Sequence, residues 1–293
     1  MPQLSTTTAL ANAQKIAIAE ARYQQDHMAS ASKIPEVMQL EKGEKSRVVP
    51  KMSRYTLARL NEGQDIVDEQ TLGMSTVTLT ASEVGGKIIV TDQLVDQNAT
   101  TDIFRMIGKE FGLAGVRIMD TDTAAIFSSL NSGTTYGQNS ITMSLANFAA
   151  IITKGKGKTL NPFIAESCVQ HPHAVYAVSR TATALAASTN QRVNNAREER
   201  LLSDWWSGVT FNGCDLYEDG NLSVDSSNDC IGFIGQSDAL VRLVARDWTT
   251  ERERDASRRA WEVNYWSRWD VFQLDTTKGA PATFDAAAPT DTA

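Results

Sequence analysis

The stretch from Thr101 to Leu130, TDIFRMIGKEFGLAGVRIMDTDTAAIFSSL, decides how the rest of the chain is read. Ile103, Ile107, Phe111, Ala114, Ile118 and Ala125 recur at spacings of three, four or seven and continue toward Leu130, which predicts one apolar stripe along a helix. Thr101-Asp102 offers an N-cap and an acidic first turn, and Asn131-Ser132-Gly133 ends the pattern. At the standard rise, roughly 28 residues make a rod ~40 Å long. Gly108, Gly112 and Gly115 lie inside it. Each costs up to ~1 kcal/mol against alanine, so they mark either a bend or the close approach of another backbone.

Upstream, the stretch from Asp65 to Asp92 reads as β. Val77, Leu79 and Ala81 alternate with Thr76, Thr78 and Thr80, and Lys87-Ile88-Ile89-Val90 follows Gly85-Gly86. Two β-rich runs around a Gly-Gly pair predict a hairpin that turns there. Before it, Glu41 to Arg59 carries Lys42, Lys45, Arg47, Lys51, Arg54 and Arg59. Such a run is either a solvated loop or a surface that meets an acidic neighbour. Lys42 to Asp92 is then a long two-stranded excursion poor in apolar residues. A ribbon of that kind is marginal alone in water and is expected to lie on another subunit. Earlier still, Thr8 to Met28 could be helical, with Leu10, Ala13, Ala17 and Ala21 on one face and Ile16 at its edge. That face is too thin to build a core, so the segment reads as a docking arm, interrupted at Ile34-Pro35.

Downstream, Leu145, Phe148, Ala149 and Ile152 predict a shorter helix from Ser144. It leads into Lys154-Gly155-Lys156-Gly157-Lys158, which lacks the spaced glycines and Lys-Ser or Lys-Thr of a nucleotide loop and reads as a flexible basic loop. Phe163 to Gln170 reads as a strand ending at His171-Pro172-His173, with a helix over Ala174 to Ser188. Short strands flank the Asn212-Gly213 turn. Ile231 to Ala245 is largely apolar, Glu251 to Asp255 alternates in charge, and Trp261, Val263 and Tyr265 alternate with polar or aromatic neighbours beyond a turn at Ala256-Ser257. This predicts a long antiparallel hairpin with acids on one face of its charged limb and Arg252 and Arg254 on the other. The segment from Thr276 onward, rich in Ala, Pro and Thr, reads as a tail without a core of its own.

The bulk composition narrows the function. With 293 residues and 42% hydrophobic content the chain can bury a substantial core in about two domains. A net charge of −7 disfavours a dedicated nucleic-acid binder with one basic face. Met1 to Thr8 lacks a signal-peptide pattern, and no apolar run approaches the ~20 residues of a membrane span, which points to a soluble protein made in a cytoplasm. Cys168, Cys214 and Cys230 fit free thiols of a reducing compartment, a Cys214–Cys230 bridge being the alternative. No Gly-x-Ser-x-Gly, His-Glu-x-x-His, Cys-x-x-Cys or Gly-x-Gly-x-x-Gly motif occurs. Cys168, His171 and His173 are metal-ligand types, but they lack a fourth group, and a strand-to-helix turn with Pro172 starting the helix is the simpler reading. The sequence therefore assigns no catalytic residue, cofactor or metal.

The order of parts resembles the major capsid proteins of tailed bacteriophages, the Hong Kong 97 fold, over nearly the whole chain. Glu166-Ser167-Cys168-Val169-Gln170-His171-Pro172 is similar to the strand-then-His-Pro step that enters the axial domain's first helix in that family. Ser237 to Asp255 followed by Arg258 to Leu274 is similar to its closing strands. The resemblance implies an α+β fold with an N-terminal arm (residues 1–40), an extended β-hairpin E-loop (41–98), and a peripheral domain holding the long spine helix (99–160). An axial domain (161–229), closing strands shared by both domains (230–275) and a C-terminal tail (276–293) complete it. It also implies an icosahedral shell of pentamers and hexamers that encloses phage DNA without reading its sequence, and a virion location. A separate scaffold, a portal and decoration proteins are the expected partners. An encapsulin-like compartment is the alternative within the same fold, and an enzyme with a cryptic metal site is the alternative outside it. Contacts between copies would fall on Lys42, Lys45, Arg47, Lys51, Arg54 and Arg59 of the E-loop and on Arg252 and Arg254. Lys42, Lys45 and Lys51 are available for the lysine–asparagine crosslink that some members make, but nothing in the sequence identifies a partner asparagine or a catalytic acid, so that chemistry is not carried over.

Overall fold

The computed structural model describes residues 30–52, 59, 62, 73–97, 103–159, 161–186 and 209–290. The helix expected over Thr8 to Met28 and the residue Arg54 lie outside them.

The alternating run near the C-terminus builds the longest pairing. β10 (Leu240–Asp255) and β11 (Ala260–Gln273) form an antiparallel hairpin from Leu240 opposite Gln273 out to Asp255 opposite Ala260, with register shifts beside Arg246. Its turn is held by Asp255, whose Oδ1 accepts the Ser257 and Arg258 N–H groups at 2.9 and 3.2 Å. The parallel strand β1 (Glu36–Gln39) adds to β10, and β4 (Ser82–Thr91) adds to β11, giving a sheet of order β1-β10-β11-β4. Leaving β4, the chain makes a short helix α1 (Asp92–Gln97) and then the long helix α2 (Ile103–Phe127), which crosses this sheet.

The remaining strands are β5 (Tyr136–Thr142), β6 (Ser167–Gln170), β7 (Val209–Phe211), β8 (Cys214–Glu218), β9 (Asp229–Gly235) and β12 (Gly279–Asp285), in the order β5-β12-β9-β6-β8-β7. Helices α3 (Leu145–Lys156) and α4 (Pro172–Ala186) accompany this second sheet, and the Ser144 side chain caps α3 by accepting the Asn147 N–H. The main core lies here, with Phe148, Ile152, Phe163, Val169 and Phe233 buried, and Phe127 at the end of α2 packs its ring 5.2 Å from Phe233. A two-stranded ribbon, β2 (Arg47–Met52) with β3 (Met74–Leu79), leaves the body between β1 and β4. Its root packs on the sheet in a small second core, where Leu79 and Ala81 meet Val241 and Leu243 of β10, joined by Val49, Val77 and Phe272.

Five readings of the sequence change. Gly85-Gly86 is no turn: β4 runs through it, and the hairpin pairs β2 with β3 instead. A Cβ at Gly85 would lie 2.8 Å from the Tyr265 carbonyl oxygen, so the glycine lets β11 pass close by. The protruding excursion is accordingly shorter than 41–98, because residues 82–97 belong to the body. The arm likewise cannot extend to Leu40, since Ala31 and Ile34 enter the main core and β1 is a sheet member. The tail contains β12, a buried strand between β9 and β5; its small residues are required where Gly279 packs on Phe233, with a Cβ there 2.9 Å from the ring. Finally, Lys154 to Lys156 form the last turn of α3 rather than a flexible loop, and Gly155 leaves room for the Phe163 ring.

The apolar stripe of α2 is also displaced. Ala114 and Ala125 are exposed, and the buried face runs through Phe111, Gly115, Asp120, Thr123 and Phe127. Gly115 marks the approach of the Trp248 ring, 3.0 Å from where its Cβ would be, while Gly108 and Gly112 face open space. All three cysteines are free and buried. No helix among the described residues is long and apolar enough to cross a membrane.

Gly85→Val is expected to destabilise the chain by about 1–3 kcal/mol in denaturant unfolding, because strand β11 has no room to retreat. Gly108→Ala, on the open side of α2, is expected to be neutral or to stabilise by up to ~1 kcal/mol.

Candidate subunit interface

The basic residues singled out from the sequence divide into three groups. Lys42 and Lys45 stand exposed in the connection between β1 and β2, with no ion pair among the described residues, and Arg59 is exposed farther along. Arg47 and Lys51 bind the ribbon to the body. The Arg47 guanidinium donates to the Gln39 carbonyl oxygen at 3.0 Å, and the Lys51 Nζ meets Asp275 Oδ1 at 2.7 Å. Burial opposes ionisation of Asp275, but Lys51 and two donors from Thr277 together hold its carboxyl below the ordinary aspartate value. Beneath this pair is a cleft of about 280 Å³ between ribbon and body, lined by Val49, Pro50, Val77 and Leu274.

Arg252 and Arg254 form the third group. The register places them opposite Val263 and Trp261, on the side of the hairpin that faces α2. The Arg252 guanidinium sits 4.9 Å from the Phe104 ring centroid. Arg254 grips Asp92 through two hydrogen bonds of 2.7 Å and lies over Trp261 at 5.1 Å. Glu251 and Glu253 point to the opposite, exposed side. The hairpin limb thus spends its two arginines on contacts within the chain and presents carboxylates outward.

Two surfaces of opposite character result. One is the ribbon, basic at its root and carrying exposed apolar side chains at Val48 and Met74 (54% and 57% exposed). The other is the acidic outer side of the β10–β11 limb. The strand-to-helix step at His171 shows no metal-site chemistry: His171 Nδ1 accepts the His173 N–H at 3.2 Å, and His173 Nδ1 lies 3.2 Å from the Ala286 carbonyl oxygen. Burial and the neighbouring Cys214 push the Cys168 thiol well above its usual value. Among the described residues, no group of three or more His, Cys, Asp and Glu side chains is arranged to hold a metal ion.

Sequence reasoning missed one polar cluster, Asp120 with Asp219 and Asn221, all inside the protein or at its margin. Nothing marks these residues out in the sequence, because their partners are about a hundred positions away along the chain.

No family model matches the sequence, and no curated protein does either. Solved structures do match. The mature capsid of bacteriophage PhiM1 aligns over 90% of this chain and 88% of its own at a TM-score of 0.62 and 13% identity. The capsid of cyanophage P-SCSP1u aligns over 87% of each chain at 0.61 and 12%. The chain has the Hong Kong 97 capsid fold. The encapsulin complex of Synechococcus elongatus also aligns, over 92% of this chain and 96% of its own, at 0.60 and 9%.

Lys51→Ala is expected to lower global stability by less than ~1 kcal/mol, since the pair is partly exposed. It should speed amide hydrogen exchange selectively in β2 and β3. The tether's contribution should persist above the ordinary aspartate range and fade as pH falls through the lowered Asp275 value.

Proposed function

We propose that this chain is the major capsid protein of a tailed double-stranded DNA phage and assembles as pentamers and hexamers into a closed head. The observation that carries the reading is the likeness to solved phage capsids over about nine-tenths of the chain. The ribbon supports it physically. A two-stranded ribbon with Val48 and Met74 exposed leaves apolar surface that a neighbouring copy would cover. Lys42, Lys45, Arg54 and Arg59 meet the acidic outer side of another copy's β10–β11 limb, giving charge-complementary contacts that set register, while Arg47 helps to root the ribbon. Lys51, Arg252 and Arg254 act one step back, holding the ribbon and the limb in the shapes that make those contacts. The overall charge of −7 limits adhesion to the enclosed DNA, which is held without sequence readout. A separate scaffold, a portal and decoration proteins complete the assembly, which is built in the host cytoplasm and ends as part of the virion. The protein has no catalytic role.

The encapsulin likeness favours a second reading, a compartment shell that houses protein cargo. Shells purified from the native source separate the two: nuclease-resistant DNA inside supports the head, and a stoichiometric protein cargo without DNA supports the compartment.

Expressed alone or with its genomic neighbours, the chain is expected to form closed shells visible by negative-stain microscopy. A protein that stays monomeric at high concentration with a scaffold present would sink the proposal. Replacing residues 42–78 by a short Gly-Ser linker, which spares β4, is expected to abolish shells while leaving a folded subunit.

A further inference from the structure

The first described element is a tight turn, Ala31–Lys33, and two buried carboxyl groups hold it. The Ala31 N–H donates to Asp219 Oδ2 and the Ser32 N–H to Asp120 Oδ1, each at 2.9 Å. Asn221 bridges the two acids, donating its backbone N–H to Asp219 Oδ1 and its side-chain amide to Asp120 Oδ2, again at 2.9 Å. Asp120 belongs to helix α2 and Asp219 to the loop after β8, so this node joins the helix, that loop and the turn. Both carboxyls are almost wholly inaccessible to solvent.

The charges at the node do not balance. All four carboxyl oxygens of the node accept neutral N–H groups, and Asn221 holds the two acids side by side. Arg242 of β10 gives its guanidinium to the Ser32 carbonyl oxygen at 2.9 Å, and among the described residues no cation forms an ion pair with either acid. The other titratable groups around the node are Lys33 in the turn, Glu218 beside Asp219, and Cys230 of β9. Burial pushes the Cys230 thiol up to about 11, so it stays neutral. Two buried like charges with no cation between them cannot both ionise cheaply.

We propose that Asp120 and Asp219 act as a proton-operated lock on the turn Ala31–Lys33, closed when the pair shares a proton and weakened when that proton leaves. Burial first, and then the hydrogen bond from Asp219, raise Asp120 to about 7. A carboxyl raised in this way stabilises the closed node fully below the ordinary aspartate value of about 4, and the stabilisation is lost as pH rises through about 7. The lock therefore tightens on acidification from neutrality and controls how firmly the turn before β1 is fixed to helix α2.

Hydrogen exchange of the full-length isolated subunit tests this without any need for shells. After correction for intrinsic rates, protection of the Ala31 and Ser32 amides is expected to fall by up to about tenfold per pH unit between pH 5 and 7 and then level off. Asp120→Asn removes the titrating group in nearly the same volume; its amide replaces one acceptor oxygen with a donor, so its protection is expected to be lower throughout but flat over that range. Asp219→Asn offers the same test from the other side. A wild-type profile that is flat between pH 5 and 7 overturns the lock, as does an asparagine variant that falls as steeply as the wild type.

Discussion

The β10–β11 ladder is the interaction on which the other parts of the molecule depend. It is the one pairing that reaches from the main core to the far edge of the four-stranded sheet, and β1, β4 and α2 are all mounted on it. Its inner end is apolar and buried at Leu240, Val241 and Leu243, while its outer limb is charged and exposed. A hairpin of that length would twist and fray alone in water. Here one side of it is covered by α2 through a run of ring contacts: Trp248 stacks on Tyr265 at 4.5 Å, Tyr265 on Phe111 at 5.2 Å, and Phe104 meets Trp261 edge-on at 6.4 Å. Large flat rings between a sheet and a helix resist both twist and slip, because sliding by one residue would turn every ring to the solvent side.

Those rings explain the glycines. Gly86 opposes Tyr265 in the ladder, and its missing side chain makes the space that the Phe111 ring fills. Gly115 does the same for Trp248 on the helix side. In a polar protein of modest aromatic content, each ring has to be admitted by a residue that gives way. Helix α2 thus trades intrinsic helix propensity for close contact with the sheet. What results is a two-layer packing in which the rings of the sheet and the glycines of helix and strand interlock.

The sequence made the long helix, the closing hairpin and the Asn212-Gly213 turn legible, because each rests on local chemistry: periodicity, caps and turn residues. What it hid were features decided at a distance. Gly85-Gly86 looks like a turn until Tyr265 and Phe111 are placed beside it. The Ala-Pro-Thr stretch after Thr276 looks like a tail because its partners, β5 and β9, are a strand apart in space but far apart in sequence. The stripe of α2 was misplaced for a related reason, since its buried face includes Asp120 and Thr123, and a polar residue on a core face breaks the pattern that periodicity detects. Among the candidate interface residues, the basic character of the stretch from Lys42 to Arg59 was readable from the sequence. That Arg254 already holds Asp92 and Lys51 already holds Asp275 was not.

The polar interruption of α2 follows from where the helix must serve two layers. Over Phe104 to Gly115 it meets a sheet of rings and can be apolar. By Asp120 it meets a backbone turn whose N–H groups point inward, and an apolar residue there would leave the Ser32 donor buried and unpaired. A carboxyl satisfies that donor, and a second carboxyl satisfies its neighbour, at the expense of placing two acids together away from water. An asparagine in place of either acid would remove the repulsion, but its single oxygen would leave one of the two N–H groups that the carboxyl accepts facing a donor. Keeping two acids makes the attachment depend on a single proton, and it places that dependence at the point where three parts of the subunit meet.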